Sequence, residues 1–188
     1  MPPRVFAAAI AVLLLGVLAG CSGDEDLAEA AYFAEHEGVM ARVWIPLHEA
    51  RSIGTYRAEI EWPGGAKART ESARDGMITG VWLADLELDG SAELVVATST
   101  AGSGGYGSVD IYKLRDHDLQ ALELSPLDEE QRSGYMGHDT FSIEDGRLYR
   151  SYPRYRDEDV NAAPSGGSRR LWYSFADSVW VAASGPDG

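Results

Sequence analysis

The chain has 188 residues, 16 of them basic and 30 acidic, for a net charge of −14, with 45% hydrophobic residues and one cysteine. A body this acidic repels nucleic acid and anionic lipid head groups, and one cysteine leaves no internal disulfide to staple the fold. The length suits one domain and hardly two, so a single hydrophobic core has to carry it.

At the N-terminus, "MPPRVFAAAIAVLLLGVLAGC" sets Arg4 before an apolar run, with small residues leading to Cys21. That is the layout of a secretory leader, too short for a spanning helix with a stop-transfer flank. Leu18-Ala19-Gly20-Cys21 resembles the lipobox of bacterial lipoproteins. The resemblance implies that residues 1–20 are a signal peptide, cut just before Cys21, and that the Cys21 thiol and the new amino group are acylated. Several acyl chains make a stable membrane anchor where one would not. Ser22, rather than aspartate, after the cysteine implies the outer membrane, with the protein facing the periplasm. Arg4 is the only charged residue in the leader, so its removal takes the net charge to −15.

Residues 21–50 read as the lipidated cysteine and an acidic, alanine-rich tether, with a helical turn around "LAEAAYFAEH". The folded domain is expected over 51–188. "TYRAEIEW" alternates polar and apolar residues, and "GMITGVWLADLEL", "AELVVATST", "SVDIYKL" and "LQALELS" follow as aliphatic or β-branched runs. "TFSIEDGRLYRSY" places Asp145-Gly146 between two strand-like runs, a strong short hairpin signal. "SRRLWYSFADSVWVAA" adds a pair turning at "ADS". Strands at this spacing, without a helical period between them, predict an all-β domain. The expected form is an antiparallel β-sandwich or flattened barrel of about eight strands. Trp62, Trp82, Trp172 and Trp180 fall in these runs, where core packing is the default and sugar stacking the alternative.

Three stretches suggest chemistry. "AGSGG" puts Ser103 in a frame like the G-x-S-x-G nucleophile elbow, with His138 and Asp139 to complete a triad. That elbow needs a helix after the serine, and here a strand follows, so catalysis is not expected. "DLELDGSAE" carries Asp85, Glu87, Asp89 and Glu93 around Gly90, a spacing close to a calcium loop but in one copy and with Val96 where an EF-hand needs glutamate. A tight acidic turn is the preferred reading, with a calcium- or sugar-binding envelope module using residues 85–93 as the alternative function. No metal or cofactor is expected. "RLYRSYPRYR" interleaves arginine and tyrosine, and Arg154, Tyr155 and Arg156 are candidates for a partner surface.

"STAGSGGYGS" (99–108) is longer than a hairpin turn needs, and four of its ten residues are glycine. Its Ser103-Gly104-Gly105-Tyr106 matches the S-G-x-Y loop of bacterial lysozyme inhibitors. Together with "LADLELDGSAELVVATSTAGSGGYGSVDIYKL" and the landmarks "GHD", "YPRYR" and "PSGGSRR", it resembles the periplasmic inhibitors of I-type (invertebrate) lysozyme over about residues 52–183. The resemblance implies a β-sandwich, often a homodimer, that is not an enzyme and blocks the lysozyme cleft with this loop. Ser103, Gly104, Gly105 and Tyr106 would then be the target-binding residues and the lysozyme the partner. Ala162 stands where some relatives carry cysteine, so a disulfide there is lost.

Overall fold

The run "ELVVATS" lacks the alternation of a half-buried strand, and the structure shows why. Residues 93–98 are all buried, because the strand they form has protein on both faces. Around it a computed structural model, describing residues 27–176 and 179–184, builds two sheets. Cys21 and the leader lie outside the described residues, as does most of the "ADS" turn.

The first sheet is an antiparallel meander of β1 (Ala28–His36), β2 (Val39–Pro46), β3 (Gly54–Glu61) and β4 (Lys67–Arg74). The second has eight strands: β5 (Met77–Ala84), β6 (Glu93–Ser99), β7 (Gly107–Arg115), β8 (Asp118–Leu124), β9 (Thr140–Glu144), β10 (Arg147–Pro153), β11 (Ser168–Ala176) and β12 (Val179–Ser184). Their spatial order is β5-β6-β7-β8-β12-β11-β10-β9, and the two ends approach so that the sheet nearly closes into a barrel. Every junction is antiparallel except β8–β12, where Val179 pairs with Glu123 and Trp180 with Leu124 in parallel. A single helical turn, α1 (Glu129–Arg132), follows β8; Asp128 caps it and Gln131 returns the bond in a capping box.

The all-β expectation holds. The tether expectation does not: residues 28–46 form β1 and β2, so the domain starts well before residue 51, with twelve strands among the described residues. Alanine and glutamate favour helix locally, yet Ala30, Tyr32 and Ala34 face the core at period two while Phe33 and Glu35 face out. Pairing with β2, from Ala31↔Trp44 to His36↔Val39, overrides the propensity. Glu37 and Gly38 turn the chain with φ of 49° and 83°, the two positive angles of a type I′ hairpin. The Asp145-Gly146 hairpin forms as expected, with φ of 48° and 71°.

Two apolar layers result. Val43, Ile45, Tyr56 and Ile60 of the meander pack on Val81, Leu83, Leu94 and Val96 of the barrel wall. Val95, Ala97 and Ile111 point the other way, into the barrel, and meet Leu148, Tyr173 and Trp180. β6 is thus shared by both layers.

Leu148 is fully buried inside the barrel. Leu148→Ala leaves a cavity there and should cost about 2–5 kcal/mol, lowering the melting temperature by roughly 5–15 °C. A shift under two degrees in a thermal melt would contradict this assignment of the core.

Candidate functional site: a braced loop at the barrel mouth

The ladder between β6 and β7 runs out at Ser99↔Gly107, and residues 100–106 span the gap. Thr100 closes the neck twice: its N–H donates to the Tyr106 carbonyl (2.9 Å) and its Oγ1 accepts from the Tyr106 N–H (3.0 Å). Gly105 N–H turns back onto the Gly102 carbonyl at 3.0 Å. Beyond the neck Ala101, Gly102 and Ser103 are exposed, and Tyr106 is 48% exposed. The structure therefore presents Ser103 and Tyr106 together at the tip, with Gly104 and Gly105 half-buried between them.

The loop is held from the side. Residues 133–139 run beside it, and the His138 N–H donates to the Gly104 carbonyl at 2.6 Å. Asn161, from the segment after β10, donates through Nδ2 to the Ser103 carbonyl at 2.7 Å. At the base, the Gly107 N–H donates to Oδ2 of Asp139 at 2.8 Å. The Tyr106 ring packs edge-on against Tyr135, 5.7 Å between centroids.

Asp139 is the junction. Its side chain is wholly buried; Oδ1 accepts from Arg150 Nε at 2.6 Å and Oδ2 accepts from the Tyr135 hydroxyl at 2.6 Å. Arg150, on β10, also donates to the Tyr135 hydroxyl at 2.9 Å. Burial alone would lower the guanidinium's pKa, but the Asp139 and Tyr173 bonds outweigh it and hold the value above its ordinary one. Burial and the bond to Asp139 likewise raise the Tyr135 phenol. Both groups stay in the protonation states the network needs.

This geometry disposes of the triad. The Asp139 carboxylate serves Arg150, Tyr135 and Gly107, while His138 Nε2 bonds Asn161 Oδ1 at 3.0 Å. Ser103 leads into a strand, not a helix. The second predicted cluster is also rearranged. Tyr155 is 8% exposed, its hydroxyl donating to the Asn161 carbonyl at 2.9 Å and its ring stacked on His138, so it supports the site from inside. Arg154 is half-buried beside it, and only Arg156 of the three is open to solvent. Sequence reasoning placed His138 and Asp139 in one motif and Arg150 in another and missed their joint role. Asp139 precedes β9, Arg150 lies on β10, and only the pairing of these strands brings the two together. Asn161 carried no sequence signal.

The acidic turn 85–93 contains its own cation. Lys113, opposite Glu93 on β7, reaches Glu87 at 2.5 Å and Asp89 at 2.7 Å. Asp85 accepts the backbone N–H groups of Asp89 and Gly90, and buried Glu93 accepts that of Leu86. Among the described residues no group of three or more acids or histidines could hold a metal ion. The tryptophans are also committed. Trp44 and Trp180 are buried, and Trp62, Trp82 and Trp172 are half-buried, Trp172 under the Arg147 guanidinium at 5.1 Å.

The fold and this geometry define a β-barrel scaffold that presents a braced loop at one mouth. A family model described as "Periplasmic lysozyme inhibitor of I-type lysozyme" matches residues 36–130, half of the chain, and the protein belongs to that family. Among solved structures, the Aeromonas hydrophila inhibitor of this family is 28% identical over 46% of this chain and 78% of its own, with a TM-score of 0.42. The same inhibitor in complex with Meretrix lusoria lysozyme gives 28%, 46%, 75% and 0.41. A Xanthomonas type IV secretion system related protein is 13% identical over 83% of this chain and 94% of its own, with a TM-score of 0.36. No curated protein sequence matches the chain.

Because Lys113 already pairs with Glu87 and Asp89 and backbone N–H groups occupy Asp85 and Glu93, melts in chelator and in millimolar calcium should agree within about 2 °C. A rise of several degrees would mean a binding energy on the order of 1 kcal/mol and restore a metal. Burial pushes the Glu93 carboxyl up from 4.5 to about 7. The folded state thus holds this proton more tightly than the unfolded chain. The associated stability is complete below the unfolded value and is lost as pH rises through the folded one. Glu93→Gln keeps an acceptor for Leu86 and should remove that part of the decline in melting temperature between about pH 5 and pH 8. An unchanged decline would contradict the assignment.

Proposed function

We propose that this protein inhibits a lysozyme of the I-type by inserting the 102–106 loop into its active-site cleft. The observation that carries this reading is the loop itself: in a member of an inhibitor family, Ser103 and Tyr106 stand exposed on a short segment whose backbone is tied down at both ends. Glycoside hydrolases work with two carboxyl groups flanking the scissile bond. The Ser103 and Tyr106 hydroxyls can donate hydrogen bonds to such carboxylates while the thin glycine backbone occupies a sugar subsite. Tyr106 brings broad contact area with few rotors to freeze. Bracing by His138 and Asn161 means little loop ordering is left to oppose binding. The net charge of −14 favours encounter with a basic enzyme. Inhibition of this kind requires no chemistry from the inhibitor.

We further propose that the protein acts at the cell envelope, anchored by acylated Cys21 in the outer membrane and facing the periplasm. The lipobox-like residues 18–21 and the periplasmic family support this.

Ser103→Ala removes a hydrogen bond to a charged group, about 1.5–3 kcal/mol, so inhibition of an I-type lysozyme should weaken roughly 10- to 150-fold. Tyr106→Ala should cost at least about 2 kcal/mol of binding. Ser103→Ala should melt near the wild-type temperature, since exposed loop residues seldom support folding. Tyr106→Ala also loses its edge-on contact with Tyr135 and should melt slightly lower without unfolding. Full inhibition by the double variant would exclude the loop as the inhibitory element. Cys21→Ser should abolish labelling by a palmitate analogue in cells; persistent labelling would end the lipoprotein reading.

A further inference from the structure

The braces around the loop form a surface of their own. Three segments meet at the barrel mouth: 100–106, 133–139 and 154–167. They are locked closely enough to exclude side chains at two crossings. Gly137, at φ +90°, has no room for a Cβ because the Gly104 carbonyl fills the space, and Gly134, at φ +71°, lies against the backbone of Tyr155. Asn161 bonds the first and second segments at once, through Nδ2 to the Ser103 carbonyl and Oδ1 to His138. Asp159 ties its own segment shut by accepting the N–H groups of Arg156 and Ser165, both at 2.7 Å. Around the Ser103 tip this assembly leaves three large apolar side chains in solvent, one from each segment: Tyr106 at 48%, Met136 at 38% and Val160 at 65% exposed. Apolar groups so placed on separate loops have no role in the core, and rigid apolar contacts next to an anchor are where binding energy concentrates.

We infer that residues 156–161 form a second arm of the inhibitory surface, held in register with the Ser103 tip by Asn161. In this arrangement Val160 packs on the polypeptide rim of the same lysozyme cleft that receives the loop. The inference rests on the proposed lysozyme inhibition and deepens it: the loop enters the cleft, and the arm grips its edge. The arm lies beyond residues 36–130, so the family match assigns it no role. Val160 is a contact residue in this account. Asn161 is a positioning residue that acts through the Ser103 backbone.

The test uses the full chain and an I-type lysozyme, with inhibition constants and melting temperatures for Val160→Asp, Asn161→Ala and Ser103→Ala. Val160→Asp and Asn161→Ala should each weaken inhibition by about tenfold or more, with melting temperatures within about 2 °C of wild type. Because Asn161 acts through the loop, its effect should shrink when combined with Ser103→Ala, whereas that of Val160→Asp should add in full. If both arm variants inhibit like wild type while Ser103→Ala is weakened, the arm is overturned and the loop reading stands. If wild type inhibits no I-type lysozyme, both fall. Should Asn161→Ala melt early, Val160→Asp alone decides, since Val160 is 65% exposed.

Discussion

The Asp139 carboxylate is the point on which the barrel mouth depends. One side chain, without solvent contact, takes hydrogen bonds from Arg150 on the barrel wall, from Tyr135 on the neighbouring loop and from the backbone at the root of the 100–106 loop. Taking a carboxylate and a guanidinium out of water is costly, and only close geometry with further hydrogen bonds offsets it. That condition is met here, with Nε–Oδ1 at 2.6 Å and Tyr135 bonded to both ions. Breaking the pair would strand a buried charge, so the mouth favours the one arrangement in which this pair is satisfied. The chain gains a defined position for the loop rather than extra stability.

That position is also secured from below. The loop joins β6 and β7, whose side chains are buried alternately against the meander and inside the barrel. A hairpin clamped between two packed layers cannot tilt without disturbing both, because interiors are close-packed and transmit strain. The exposed tip is therefore a small feature on a rigid base. For the proposed plug this is the useful combination, since ordering a floppy loop on binding would oppose affinity.

Much of this was legible in the sequence where local patterns coincide with tertiary placement. The strand runs from Thr55 onward, the Asp145-Gly146 turn and the glycine-rich loop all carry their own signals. β1 did not, because its inward residues are alanines, which bury too little surface to mark a strand against their helix propensity. β4 did not, because "KARTESAR" is polar on both faces and owes its conformation to its neighbour β3. The Arg150–Asp139 pair was hidden for another reason. Each residue sits in a motif that suggests different chemistry, an aromatic-basic stretch and a His-Asp dyad, and only the fold of β9 against β10 brings them together. Lys113 is similar: it fills an acidic turn more than twenty residues away in sequence, and so turns an apparent calcium loop into an ion-paired one.

If the preformed loop occupies the catalytic cleft of a lysozyme, as proposed, the form of inhibition reads it directly. Initial rates of an I-type lysozyme on soluble cell-wall fragments, measured across substrate and inhibitor concentrations with the full chain, should show strictly competitive behaviour. The apparent KM should climb in proportion to inhibitor while kcat stays constant, because substrate and loop exclude one another. A fall in kcat at unchanged KM would place the protein outside the cleft and contradict the account.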